Sequence, residues 1–155
     1  MLKSYDEIVE ILEKNAAKAE LYFLSDKSGH TDEEIKNLEE KLGMQIHEDY
    51  KNVLKDYKYI VFLESAYVPI NLDEIATNND MYKDARSYFD VNFPEDCYTV
   101  GIYNEEPIYL QNSKTGFIYE YLVSDHAPAL KKIANNFQEF MNLQLEELLA
   151  SGIFG

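Results

Sequence analysis

The sequence predicts an α+β fold, in which an antiparallel β-meander packs against helices. Amphipathic helical patterns lie near both ends of the chain, whereas the middle alternates apolar and polar residues as strands do. Short turn-forming segments separate the strand-like stretches, and such turns favour antiparallel neighbours because they are too short to join parallel strands. Helices that are segregated from a run of strands are typical of the α+β class.

The clearest helical signals lie in residues 31–57, TDEEIKNLEEKLGMQIHEDYKNVLKDY, which predict two helices joined by a tight corner. Thr31 and Glu34 have the spacing of a capping box, and Gly43 is placed for a left-handed C-terminal cap. Each predicted helix has one apolar face that must be buried against another element. The residues of the two faces are Ile35, Leu38, Leu42, Tyr50, Val53, Leu54 and Tyr57.

The outer helices have similar signals. A first helix is predicted in residues 1–24, where Ser4 and Glu7 repeat the capping-box spacing, and turn-forming residues follow as far as His30. The last helix is predicted in residues 136–150, beginning with an asparagine cap. Its apolar stripe consists of Phe137, Phe140, Met141, Leu145 and Leu148.

Residues 59–121 are predicted to form the sheet, interrupted by an acidic insertion at residues 71–96. β-branched and aromatic residues make Tyr59 to Leu63 strand-like, and three short alternating strands follow the insertion. Residues 125–135 are interpreted as a loop with one helical stretch. Because 155 residues suit one hydrophobic core, residues 1–155 are expected to form a single domain.

The net charge of −15, from 29 acidic and 14 basic residues, limits the partners that this chain can bind. Such a charge repels nucleic acids and anionic membrane surfaces, so neither is expected as a partner. It favours attraction to a cationic protein, and a monomer is the favoured state. A single cysteine, no signal-peptide pattern and no apolar run long enough for a bilayer together predict a cytoplasmic protein.

No pattern in the sequence specifies a catalytic or metal site. The three histidines are far apart, and phosphate-binding loops and nucleophile motifs are absent. Asn78 to Asp80 with Asp84 could attract calcium but lack the EF-hand spacing, which favours a solvated loop. Cys97 is interpreted as a structural thiol rather than a nucleophile. We therefore predict a non-enzymatic protein that needs no cofactor or metal, with a hydrolase or metal-dependent enzyme as a remote alternative.

The most unusual stretch is residues 59–113, which contain ten acidic residues but only two basic ones. A solvated surface and a partner-binding patch explain this charge equally well. The chain also has thirteen tyrosines and no tryptophan, and tyrosine suits protein interfaces as well as sheet packing. If the stretch binds a partner, the contact residues are predicted to be Asp73, Glu74, Asp80, Tyr82, Asp84, Asp90, Glu95, Asp96, Tyr103, Glu105 and Glu106.

The helical motifs at residues 31–57 and 134–141 resemble those of the SMI1/KNR4 (SUKH) superfamily. His47 stands where that family usually has proline, and Lys58-Tyr59 replaces the glycine that usually follows the second helix. The resemblance implies the same α+β architecture. It also implies an immunity protein that neutralises a cognate bacterial toxin, often a nuclease, by direct binding. A regulatory or scaffold module that binds an endogenous protein is the alternative that the resemblance implies.

Overall fold

The computed structural model describes residues 1–20, 23–62, 75–81, 84, 94–102, 108–122 and 129–152. The helices in these residues are α1 (Tyr5–Lys18), α2 (Asp32–Leu42), α3 (Glu48–Asp56), α4 (helical residues 75–81) and α5 (Phe137–Ala150). The strands are β1 (Phe23–Asp26), β2 (Tyr59–Phe62), β3 (Cys97–Ile102), β4 (Ile108–Asn112), β5 (Ile118–Leu122) and β6 (Ala129–Ala134). The predicted α+β class is confirmed.

Strands β3 to β6 form a four-stranded antiparallel meander in chain order. β1 and β2 form a separate two-stranded antiparallel sheet, in which Phe23 lies opposite Phe62. The prediction of one sheet over residues 59–121 is therefore wrong in two respects. β2 pairs with β1 rather than with the meander, and the meander continues to Ala134.

Two stretches are strands where another structure was predicted. α1 ends at Lys18 rather than at residue 24, and Phe23–Asp26 pairs with β2 instead. Four residues are too few to show a period, and their pairing partner lies beyond α2 and α3. Residues 129–134, which were interpreted as loop with a helical stretch, form β6. Their apolar residues are spaced three apart as in a helix, but pairing with β5 overrides that local signal.

The predicted starts of α1 and α2 and the predicted end of α2 are confirmed by their hydrogen bonds and backbone geometry. The Ser4 hydroxyl accepts a bond from the Glu7 amide at 3.2 Å, and the Thr31 hydroxyl accepts one from the Glu34 amide at 3.1 Å. In both boxes the glutamate side chain accepts a bond from the cap residue's amide. Gly43 ends α2 with a φ of 72°, in the left-handed region. These ends are correctly predicted because each depends on residues within one helical turn.

One hydrophobic core joins the helices to one face of the meander, and it includes every predicted apolar position of α2, α3 and α5. Phe137 lies at its centre, with its ring centroid 4.8 to 5.9 Å from those of Tyr5, Tyr50 and Phe140. Side chains alternate between the faces of a sheet, so a smaller cluster lies on the opposite face. Its buried residues are Cys97, Ile108, Leu110 and Tyr121.

The first and last helices are joined by hydrogen bonds between distant parts of the chain. The Lys3 amide donates to Asn142 Oδ1 at 2.9 Å, and Asn142 Nδ2 donates to the Lys3 carbonyl at 3.0 Å. The Tyr57 hydroxyl donates to the Asp6 carboxylate and so links α3 to α1. α1 is therefore held in place by both α3 and α5.

Candidate partner-binding surface

A polar network centred on Asp49 fixes the elements around the start of α3. The Asp49 carboxylate accepts hydrogen bonds from Gln111 Nε2 at 2.7 Å and from the Phe137 amide at 2.6 Å. His47 Nδ1 lies 2.8 Å from the same carboxylate. One side chain thus joins α3 to β4 and to the first turn of α5. This role is not visible in the sequence, because an acidic residue in an amphipathic helix ordinarily faces water.

Tyr98 extends the network across the sheet. Its hydroxyl donates to Gln111 Oε1 at 2.6 Å and accepts a bond from the His47 amide at 2.8 Å. Burial raises the pKa of the Tyr98 hydroxyl well above its usual value, so the hydroxyl remains a donor. His47 has a φ of −63°, the angle that proline imposes, so histidine fits the family's proline position. It also supplies the amide donor that proline lacks.

The network is connected to the turn between β4 and β5, which in turn contacts the start of β3. Gln111 Nε2 donates to the Gly116 carbonyl at 3.1 Å. In the same turn, the Ser113 amide donates to the Asp96 carbonyl at 2.7 Å, and the Ser113 hydroxyl donates to the Gln45 carbonyl. Hydrogen bonds therefore run from α3 to Asp96, one of the predicted contact residues.

Four of the predicted contact residues lie in the described part of the chain. Asp80 and Asp84 are exposed on and just after α4, while Glu95 is exposed and Asp96 half-buried in the turn before β3. The other seven lie outside the described residues: Asp73, Glu74, Tyr82, Asp90, Tyr103, Glu105 and Glu106. The described contact residues therefore lie at two places, at α4 and in the turn before β3.

α4 is amphipathic, with Ile75 and Asn79 buried. The exposed residues recur at helical spacing: Thr77, Asp80, Met81 and Asp84. Residues 78–80 are therefore helical, not the solvated loop that was favoured. Since Asn79 faces inward and Asp80 outward, the two do not converge on a shared calcium ion. Among the described residues, no group of three or more metal-ligating side chains is found.

Asp96, in the turn before β3, forms an ion pair with Lys114, in the turn between β4 and β5. Asp96 adopts a φ of 58°, which aspartate tolerates better than most residues, and its carboxylate lies 3.2 Å from Lys114 Nζ. The lysine reduces the negative potential at this position. Within the described ranges, Asp80, Asp84 and Glu95 have no such cationic neighbour within ion-pair distance.

Two of the thirteen tyrosines, Tyr109 and Tyr121, are core residues. Tyr109 is buried with its ring centroid 4.8 Å from that of Phe140, and Tyr121 is buried in the smaller cluster. Tyr119 is half-buried beside that cluster. For Tyr109 and Tyr121, sheet packing therefore explains the residue.

Cys97 is buried, as predicted for a structural thiol. Burial raises the pKa of its thiol from 9.0 to about 11. We expect folded protein to resist iodoacetamide at mildly alkaline pH and unfolded protein to react, because only the thiolate is nucleophilic. The thiol's contribution to stability is fully present below the unfolded pKa and is lost as pH rises through about 11. Intact-mass measurements of iodoacetamide labelling, with and without urea, test the expected protection of the thiol, and rapid labelling of folded protein would contradict it.

The described residues thus define an α+β protein with a polar network at its centre and an acidic helix at its surface. Residues 29–143 match the model of the SMI1 / KNR4 family (SUKH-1), and the chain belongs to this family. The resemblance found in the helical motifs is thereby confirmed. Membership is consistent with an immunity-protein type of domain. Comparison with curated proteins finds no match.

No helix in the described ranges has both the length and the apolar character needed to cross a bilayer.

Proposed function

We propose that this protein is a non-enzymatic immunity protein of the cytoplasm that neutralises a cognate basic toxin, of the nuclease type, by direct binding. The observation that carries this proposal is the uneven charge along the chain. Residues 1–58 contain 14 acidic and nine basic residues, whereas residues 59–113 contain ten acidic and two basic ones. The negative charge of the second stretch is therefore far less compensated.

In the first stretch, lysines offset part of the negative charge, and the described ion pair that involves the second stretch is Asp96–Lys114. In the helices of residues 1–58, lysines lie 2.9 to 3.6 Å from carboxylates in three pairs, which are Lys14–Glu10, Lys51–Glu39 and Lys55–Asp32. Asp80 on α4 and Asp84 just after it lie on either side of Met81 in the sequence, and Met81 is 49% exposed. An apolar contact between two carboxylates suits a partner with lysine or arginine around an apolar residue.

A nuclease provides such a partner because its substrate cleft is built to bind phosphates. Carboxylates on the immunity protein can occupy the positions of phosphates and block the cleft. Complementary charge mainly accelerates association, and the effect weakens as salt screens the attraction. The acidic segment is therefore expected to control the association rate more than the dissociation rate.

The partner is to be identified by pull-down from the native cell and mass spectrometry. Association kinetics with that partner then test the surface. We expect the double variant Asp80→Lys/Asp84→Lys to associate about tenfold more slowly at low salt. The matched control is Glu40→Lys/Asp56→Lys, which makes the same charge change at exposed positions of α2 and α3.

The control is expected to associate at nearly the wild-type rate. Equal slowing in both variants would show that only net charge matters, and no slowing in either would show that α4 lies outside the interface. Recovery of an endogenous protein that is not a toxin would instead favour the regulatory or scaffold module.

A further inference from the structure

We propose that the chain associates head to tail with a second copy of itself through two complementary surface patches. The acidic patch lies at the end of α5 and consists of Glu146, Glu147 and Leu149. The basic patch lies on the edge strand β6 and consists of Leu130, Lys131 and Lys132. This association is independent of toxin binding, and it differs from the monomer expected from net charge alone.

The acidic patch makes α5 unlike the other long helices. α1, α2 and α3 each have a basic residue in the last turn, which complements the negative end of the helix dipole: Lys18, Lys41 and Lys55. α5 has no basic residue in its last turn and exposes Glu146 and Glu147 near it. Leu149 is 48% exposed in the same turn. This helix end therefore combines uncompensated negative charge with an exposed apolar side chain.

The basic patch lies at one of the two edges of the meander. Leu130 is 40% exposed, and both lysines are exposed. Lys132 Nζ lies 3.4 Å from the centroid of the Phe117 ring, which holds the ammonium beside apolar surface. The register places Lys131 directly opposite Glu120 of β5, and because side chains alternate along a strand, Lys131 lies on the opposite face of the meander from Leu130 and Lys132.

Two β6 strands are poorly suited to pair with each other. Antiparallel pairing of these short strands would bring the lysines of one copy close to those of the other. β6 is also irregular where it faces Ile118 and Tyr119, and lysines and bulges on an edge strand oppose edge-to-edge pairing. The β6 edge therefore disfavours pairing with a second β6 edge but can attract a negatively charged surface.

The two patches have matching chemistry. Each contains one exposed leucine and two charges of one sign, and the charges of the two patches are opposite. A contact between the α5 end of one copy and the β6 edge of the next buries both leucines and supplies the missing cations at the helix end. Such a contact is heterologous, because different surfaces of the two copies meet.

Sedimentation equilibrium near physiological ionic strength tests this association. The wild-type mass is expected to rise with concentration. Lys131→Glu/Lys132→Glu and Glu146→Lys/Glu147→Lys should each weaken association about tenfold or more, equal to about 1.4 kcal/mol. An equal mixture of the two variants should associate again, because the unchanged acidic helix end of the first variant can meet the unchanged basic edge of the second, and the two changed patches are also complementary.

The matched control is Lys27→Glu/Lys36→Glu, which changes exposed lysines elsewhere by the same charge and is expected to associate like wild type. Circular dichroism confirms that each variant is folded. A wild-type mass that stays monomeric at every concentration overturns the proposal. So does a mixture that associates no better than its components.

Discussion

Replacing Asp49 by alanine should lower the free energy of unfolding by about 3 kcal/mol or more. The substitution removes the acceptor for Gln111 Nε2 and for the Phe137 amide, and it leaves His47 without its carboxylate. A buried donor without a partner costs about 1–3 kcal/mol, and hydrogen bonds to charged groups are stronger than average. Urea denaturation of wild type and variant measures the loss, provided that the slope of the unfolding free energy against urea concentration is unchanged.

The neighbouring carboxylate provides the control for this experiment. Glu48 is exposed in the first turn of α3, where it interacts mainly with the helix dipole. Glu48→Ala should cost no more than about 1 kcal/mol. Hydrogen exchange at the Phe137 amide adds a local readout, since its exchange should accelerate only in the Asp49 variant. Equal losses in the two variants would contradict the central role of Asp49.

Gly29→Ala should destabilise the protein by about 3–4 kcal/mol, because backbone strain and a steric clash act together. Gly29 has a φ of 69°, and an added Cβ would lie 1.9 Å from the Lys55 carbonyl oxygen. That oxygen belongs to the last turn of α3. The Lys55 oxygen cannot easily move away from an added Cβ. The His30 amide, next to Gly29, donates to the carbonyl of Leu54, next to Lys55, at 2.7 Å and so holds the two segments together. Thermal and urea denaturation measure the loss.

Gly43→Ala separates the two causes. Gly43 has nearly the same φ, 72°, but no atom lies within 4 Å of a Cβ added there. Only the conformational cost remains, about 1–2 kcal/mol. The difference between the two variants therefore measures the clash with α3. Similar losses at both glycines would show that the close approach of Gly29 to Lys55 is wrong.

The helices could be predicted from sequence because their signals are local. Thr31, Glu34 and Gly43 mark the two ends of α2 within twelve residues of each other, and the apolar stripe between them has an unambiguous period. The exit from α3 was also anticipated: Tyr57 leaves the helix in an extended conformation, without the glycine that the family usually has.

Strands and contacts that depend on residues far apart in the chain could not be predicted from local sequence patterns. Phe23–Asp26 becomes a strand only because β2 lies beside it, and Ala129–Ala134 becomes one only because β5 does. Asp49 has the sequence pattern of a solvated acid. Its partners Gln111 and Phe137 are 62 and 88 residues away, so only the folded chain shows that this carboxylate is central.

The negative charge of the candidate surface could be predicted from the sequence, but the arrangement of its side chains could not. The excess of acids after residue 59 follows from counting, and Asp80 and Asp84 are indeed exposed. Exposed Met81 between them was not anticipated, because methionine at helical spacing usually packs in a core. Nor does local sequence show that Lys114 lies beside Asp96, since that pair forms across a β-hairpin.

The bonds between Lys3 and Asn142 set an order of events during synthesis. A ribosome adds about 5–20 residues per second, so the segment that receives α1 appears on the order of ten seconds after α1 itself. Until then, the apolar side of α1, with Ile8, Val9 and Leu12, lacks its final neighbour. The newly made chain therefore completes its fold only when α5 has emerged.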